Sequence, residues 1–168
     1  MKKIGLFYSF NSHKTAKLAE RIKEEFKDTS FEALNAENVN EKQFLTFDNL
    51  ILGVPTWFDG ELPNYWDEFG PAIEDMDLKG KYIALFGLGD QVGYPENFLD
   101  AVGIMAELLE SRGAVIVGLT STQGYSFESS KAVRDNKFLG LAIDFENQAH
   151  LNKERVQQWA SQLRKEFI

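Results

Sequence analysis

The chain contains no cysteine. This excludes disulfides, thiolate zinc sites, cysteine-ligated iron–sulfur clusters and a cysteine nucleophile. Histidine is scarce as well. His13 and His150 are the only two, too few for a histidine-rich metal centre. Basic residues are the minority, with 18 Lys and Arg against 26 Asp and Glu and a formal net charge of −8. Nucleic-acid surfaces need clustered Lys and Arg, so this balance argues against such a partner and favours encounter with basic protein surfaces. Long apolar runs are also missing. The opening MKKIGLFYSF passes straight into polar NSHKT and lacks a small-residue cleavage site, and no stretch reaches the ~20 apolar residues of a membrane span. The cytoplasm is therefore the expected compartment, with no membrane partner. The four prolines, at 55, 63, 71 and 95, mark sharp turns, not a linker. With no repeat or low-complexity tract, residues 1–168 are expected to form one domain.

Short apolar runs alternate with longer amphipathic ones. Strands are predicted at Lys3–Tyr8, Phe31–Leu34 (weak), Leu50–Val54, Tyr82–Leu88 and Ala114–Leu119. Helices are predicted at Lys14–Phe26, Asn40–Phe47 with Asn40 as cap, Asn64–Ile73 despite Pro71, Glu96–Ser111 and Asn152–Phe167. Thr120–Asn147 reads as polar and irregular, apart from an apolar run at Phe138–Ile143. Strands that are apolar throughout and alternate with helices imply an α/β three-layer doubly wound domain around a parallel sheet. Ligands bind such sheets beyond the carboxyl ends of the strands. Three loops occupy that position.

The first, Ser9–Thr15, is rich in hydroxyls and leads into a helix. Free N–H groups and the helix dipole suit a phosphate there, with Lys14 adding charge; the same pattern also serves an ordinary helix start capped by Ser12. It is neither a Walker loop nor a GxGxxG fingerprint. The second, Pro55–Pro63, places Trp57 and Phe58 in a surface turn, where they either meet a flat partner or fold back onto the domain. The third, Gly87–Asn97, carries three glycines that permit close backbone approach, followed by Tyr94. Trp57 and Tyr94 together suggest two walls of a slot for a planar ring. A phosphate at one end and an aromatic slot at the other describe a mononucleotide with a flat heterocycle. Asp59, Glu61, Asp90 and Glu96 read either as a metal or acid–base group or as solvated charges, the second being favoured.

Several motifs carry a family resemblance. KKIGLFY leads into a loop ending Lys14-Thr15. Pro55-Thr56-Trp57 is followed by Gly60-Glu61-Leu62, and Ala84 to Tyr94 reads ALFGLGDQVGY. Gly124-Tyr125, Ser130-Lys131-Ala132, Lys137 to Ala142 (KFLGLA) and Glu146-Asn147-Gln148 follow. Along essentially its whole length the sequence resembles a long-chain flavodoxin. The resemblance implies a flavodoxin-like five-stranded parallel sheet of order 2-1-3-4-5, its fifth strand split by the long-chain insertion. It implies a monomeric, low-potential one-electron carrier, not an enzyme. Such a carrier uses the semiquinone/hydroquinone couple of non-covalent FMN and substitutes for ferredoxin.

The implied phosphate site is Ser9, Phe10, Asn11, Ser12, His13, Lys14 and Thr15. Trp57 and Tyr94 would sandwich the ring. Pro55, Thr56, Phe58, Asp59 and Gly60 form the second flavin loop. Leu88, Gly89 and Asp90, with Asn97 and Phe98, form the third; backbone near Gly89-Asp90 would meet the pyrimidine edge, and Glu146 the ribityl chain. Implied partners are basic-faced redox proteins, namely NADP-dependent flavodoxin/ferredoxin reductase and ferredoxin-dependent oxidoreductases. Nearby acidic groups and π faces would disfavour the anionic reduced flavin and make it a strong reductant.

Two positions depart from the family pattern. Phe10 stands where a Thr is usual and His13 where a Gly is usual, which removes a hydroxyl and a residue tolerant of positive φ. A histidine there adds a donor and a pH dependence near neutrality. If the turn Trp57–Gly60 is type II, its third residue, Asp59, has positive φ. An NAD(P)H-dependent quinone or nitro reductase of the same fold is the alternative. A receiver-type signalling module is a third reading, disfavoured because Ser9-Phe10, not an acidic pair, follows the first strand.

Overall fold

A computed structural model describes residues 1–168. The predicted alternation is present. Strands β1 (Ile4–Tyr8), β2 (Phe31–Asn35), β3 (Asn49–Gly53) and β4 (Tyr82–Leu88) lie parallel in the order β2-β1-β3-β4. Residues of β1 and β3 are buried throughout, as continuous apolar runs covered on both faces require. Helices α1 (His13–Glu25) and α6 (Asn152–Glu166) cover one face. The other carries α2 (Glu41–Leu45), α3 (Asn64–Glu74) and α4 (Asp100–Ser111). Two buried indoles tie layers together: Trp66 of α3 donates to Gly53 O at 2.9 Å, and Trp159 of α6 donates to Gly118 O at 2.8 Å.

The fifth sheet position is filled by two strands. β5 (Val115–Val117) pairs with the first half of β4, Tyr82–Ala84. β9 (Leu141–Ile143) pairs with the second half, Phe86–Leu88. Between them the chain leaves the sheet and folds β6 (Thr120–Ser121), β7 (Val133–Arg134) and β8 (Lys137–Phe138) into a small antiparallel sheet of order β6-β8-β7. The predicted irregular stretch is thus ordered, and its apolar run supplies β8 and β9. Gly118 marks the departure with a φ of +75°, and Gly140 the return. At Gly140 a Cβ would lie 2.2 Å from Leu85 O, so only glycine lets the chain pass over β4 at the join. The short helix α5 (Phe145–Gln148) follows β9 directly.

Most element ends fall within one or two residues of those predicted, and one differs by more. The helix read as Glu96–Ser111 begins only at Asp100. Leu99 is left-handed, with φ +57°, and the carbonyls before it are engaged elsewhere. Pro95 O accepts from the Glu128 and Ser129 N–H groups (2.8 and 3.0 Å), Glu96 O from the Ser129 hydroxyl and Phe98 O from the Ser130 hydroxyl. Residues 128–130, in the excursion between β5 and β9, thus take the acceptors that an earlier helical turn would use. Pro71 lies inside α3, which runs through it as the predicted Asn64–Ile73 helix did. Pro71 and Asp67 are both exposed, so the carbonyl that loses its helical donor faces water. Gly140→Ala is expected to lower stability by about 1–3 kcal/mol, the usual range for overpacking. Urea unfolding followed by circular dichroism measures it, and an unchanged midpoint refutes the close-approach argument.

Candidate functional site

A cavity of about 750 Å³ opens where the three strand-end loops meet. That volume suits a cofactor-sized ligand. Its walls are Ser12 to Thr15, Pro55 to Asp59, Leu88 to Asp90, Tyr94, Asn97 to Leu99, and Phe145 with Glu146.

One end of the cavity is a donor cluster. Helix α1 starts at His13, and the N–H groups of His13, Lys14 and Thr15 have no partner within the chain. The first helical bond is Ala16 N–H to Ser12 O at 2.8 Å. The Ser12 side chain makes no cap bond and approaches the Tyr65 hydroxyl instead, and the Thr15 hydroxyl has no partner within the chain. Nearby, the hydroxyl of Tyr65 is buried without a well-formed hydrogen bond, and that burial drives its pKa upward. Three amides and two hydroxyls converge on the cavity with too few acceptors to satisfy them, and the Tyr65 phenol lies behind them. A helix N-terminus with this donor surplus is suited to an anion.

The other end is aromatic. Trp57 is half-buried and stands edge-on to Tyr65, with ring centroids 5.8 Å apart and planes at 88°. Tyr94 is 63% exposed on the opposite loop, and its N–H closes a turn onto Asp90 O at 2.9 Å. Trp57 exchanges two backbone bonds with Glu61, at 2.9 and 2.8 Å, which pinches residues 58–60 into a three-residue turn. At the rim, Lys14 and Glu146 reach towards each other from the first loop and α5 and form an ion pair.

The third loop is held from beneath by Asp144, which is fully buried. Its Oδ1 caps α5, accepting from the Glu146 and Asn147 N–H groups at 3.0 Å each. Its Oδ2 accepts from Gln91 N–H (3.2 Å), Gln91 Nε2 (2.8 Å) and Asn147 Nδ2 (2.9 Å). Gln91 Oε1 accepts in turn from Ser126 N–H at 2.7 Å, linking the loop to the segment between β6 and β7. Burial pushes the Asp144 carboxyl up, but the bonds from Asn147 and Gln91 outweigh burial and hold it below the usual carboxylate range. Asp90 is lowered by the Gly93 N–H first, then by Asn147 Nδ2. Both acids organise backbone instead of acting as free acids. No cluster of three or more metal-ligating side chains is present.

The flavodoxin family model matches residues 6–159. Flavodoxin from Nostoc sp. is 43% identical over 166 residues, covering 99% of this chain and 98% of the relative. Flavodoxin from Synechococcus elongatus is 45% identical over 168 residues, covering 99% of each. The chain belongs to the flavodoxin family. The crystal structure of Fusobacterium nucleatum flavodoxin bound to flavin mononucleotide superposes with a TM-score of 0.95 at 34% identity, covering 100% of each chain. The α/β architecture and strand order expected of a flavodoxin are those observed.

Among the residues singled out from the sequence, Ser9, Phe10, Asn11 and Gly60 do not line the cavity. Ser9 and Asn11 turn to Glu37. The Phe10 ring packs on Tyr8, with centroids 4.9 Å apart, and is 48% exposed. Gly60 closes the turn with φ +98°. His13 is helical, so the concern about positive φ at this departure from the flavodoxin pattern does not apply. In the second loop the left-handed residue is Phe58 (φ +49°), not Asp59. The Trp57–Glu61 pairing creates a three-residue turn whose first residue, not its second, must bend backwards. The Thr56 hydroxyl faces away as well as inward, accepting from Ala101 N–H at 3.1 Å in the first turn of α4. Phe98 is almost fully buried and stacks on Phe127, centroids 5.3 Å apart. Leu99, Phe145 and the supporting pair Asp144–Gln91 were not singled out. An Asp at the end of an apolar run, just ahead of a helix, was the available signal for Asp144.

Asp144→Asn is expected to cost about 1–3 kcal/mol at pH 7, because an amide cannot accept from all the donors that the carboxylate serves. The carboxylate contribution is complete above the unfolded pKa of about 4 and is lost as the pH falls through the depressed folded value. The gap between variant and wild type in urea titrations therefore narrows on acidification. A gap that widens below pH 4 refutes the assignment.

Proposed function

We propose that the chain is an FMN-dependent one-electron carrier. The observation that carries this reading is the surplus of unpaired donors at the first turn of α1, in the same cavity as Trp57 and Tyr94. The phosphate fits the amides of His13, Lys14 and Thr15 and the hydroxyls of Ser12 and Thr15. The set is largely backbone, so it does not require the Thr that Phe10 replaces. Trp57 and Tyr94 would flank the ring, with Pro55, Thr56, Phe58 and Asp59 contributed by the second loop and Leu88, Gly89, Asp90 and Asn97 by the third. Glu146 would meet the ribityl chain. FMN, when bound, supplies reversible one-electron chemistry at potentials that its surroundings set.

The chain's own residues favour donation over retention. Asp59, Asp90 and Glu146 border the cavity within a chain of net charge −8. A negative field disfavours adding charge to a buried ring. The same charge steers the carrier towards basic-faced partners of the flavodoxin and ferredoxin reductase type, with association that weakens as salt rises. No helix is long and apolar enough to cross a membrane.

Purified protein is expected to bind one FMN per chain and to turn yellow. Alone, it is expected to show no steady NAD(P)H oxidation with a quinone or nitro acceptor; adding a flavodoxin reductase starts the electron flow. Turnover of NAD(P)H without added reductase would establish the quinone-reductase reading instead.

A further inference from the structure

We propose that Glu37 is a positioning residue for the phosphate end of the cavity, one that fixes which donors of the first loop remain free. This inference rests on the FMN reading and extends it to a residue outside the cavity wall. Glu37 lies in the short 3-10 turn Ala36–Asn38 that follows β2, two positions from the end of the strand beside β1. Its two carboxylate oxygens are both engaged. Oε1 accepts from the Ser9 hydroxyl at 2.6 Å and Oε2 from Asn11 Nδ2 at 2.8 Å. Adjacent Asn35 completes the clamp. Its Oδ1 accepts from Phe10 N–H (3.3 Å) and from Glu37 N–H (3.2 Å).

The consequence is a division of labour within one short loop. Phe10 N–H is used by Asn35, Asn11 N–H by Ser9 Oγ (3.3 Å) and Ser12 N–H by Ser9 O (3.2 Å). The side-chain donors of Ser9 and Asn11 are used by Glu37. From the Ser9 hydroxyl to Ser12 N–H these donors are therefore committed, and the run of free amides that faces the cavity begins at His13. A carboxylate gripping two donors two residues apart holds the loop in one curve. That curve sets where α1 starts and how its first turn faces the cavity.

No cation lies within ion-pair distance of Glu37, so the carboxylate also brings an uncompensated charge to the phosphate end, where Tyr65 experiences it. Positioning strengthens phosphate binding and charge opposes it, and two variants separate the effects. Glu37→Ala removes the clamp and the charge together. Glu37→Gln removes the charge but keeps an acceptor, a donor and the size.

Apoprotein is titrated with FMN and with riboflavin, which lacks the phosphate, and flavin fluorescence quenching is read. Amide hydrogen exchange of Phe10, Asn11 and Ser12 is measured on the same samples. Glu37→Ala is expected to bind FMN about tenfold more weakly, the scale of one modest hydrogen-bonding constraint. Its riboflavin affinity is unchanged and the three amides exchange faster. Glu37→Gln is expected to stay within about threefold of wild type for FMN. Equal losses for both flavins would overturn the proposal, as would unaltered or tighter FMN binding by Glu37→Ala. Wild-type protein that binds no FMN would overturn the FMN reading itself, whereas wild-type binding with an indifferent Glu37→Ala overturns this inference alone.

Discussion

The buried carboxylate of Asp144 is the constraint on which the cofactor end depends. It sits where the returning fifth strand becomes α5, and its five hydrogen-bond donors come from three places: the helix it caps, the side chain of Asn147 and the third strand-end loop through Gln91. Gln91 carries the constraint on to Ser126, in the excursion between β5 and β9. A loop rich in glycine would otherwise be mobile. Here it is fixed from below by an ion with every lone pair occupied, the condition under which burying a charge is tolerated. Tyr94 can then stand 63% exposed on the rim, because the backbone beneath it needs no help from its side chain.

The upper part of the site follows a different principle. At the phosphate end the chain gathers donors and leaves them unsatisfied, using helix geometry instead of formal charge. The one lysine at hand, Lys14, is paired to Glu146 across the rim. Anion recognition by amides leaves the net charge of −8 intact. A site built on lysines would have neutralised part of the field that disfavours extra charge on a buried ring.

The sheet and the position of the site were legible because both rest on local signals. Runs such as LILGV and YIALFGL are buried on both faces and read as strands without context. The rule that ligands gather beyond the carboxyl ends then points to three loops, and those loops do line the cavity. What was not legible depended on distant partners. The start of α4 was read too early because nothing in residues 96–99 reveals that Ser129 and Ser130 will take their carbonyls. Ser9 and Asn11 looked like phosphate ligands because Glu37, remote in sequence, carries no mark of its grip on them. Positive φ was assigned to Asp59 on residue preference, but the Trp57–Glu61 pairing moves it to Phe58, a poor candidate on intrinsic grounds.

The split of the fifth strand also means that one edge of β4 is closed from two separate parts of the chain. Val115–Val117 comes first along the sequence, and Leu141–Ile143 follows only after the antiparallel excursion. Until then the edge at Phe86–Leu88 is an open row of backbone donors and acceptors, the kind of edge that recruits foreign strands. Closing it demands a long loop, and long-range pairing is slow. A chain that stops short of Leu141 would therefore leave that edge open at the end of the sheet that carries Leu88 and Gly89 into the cavity.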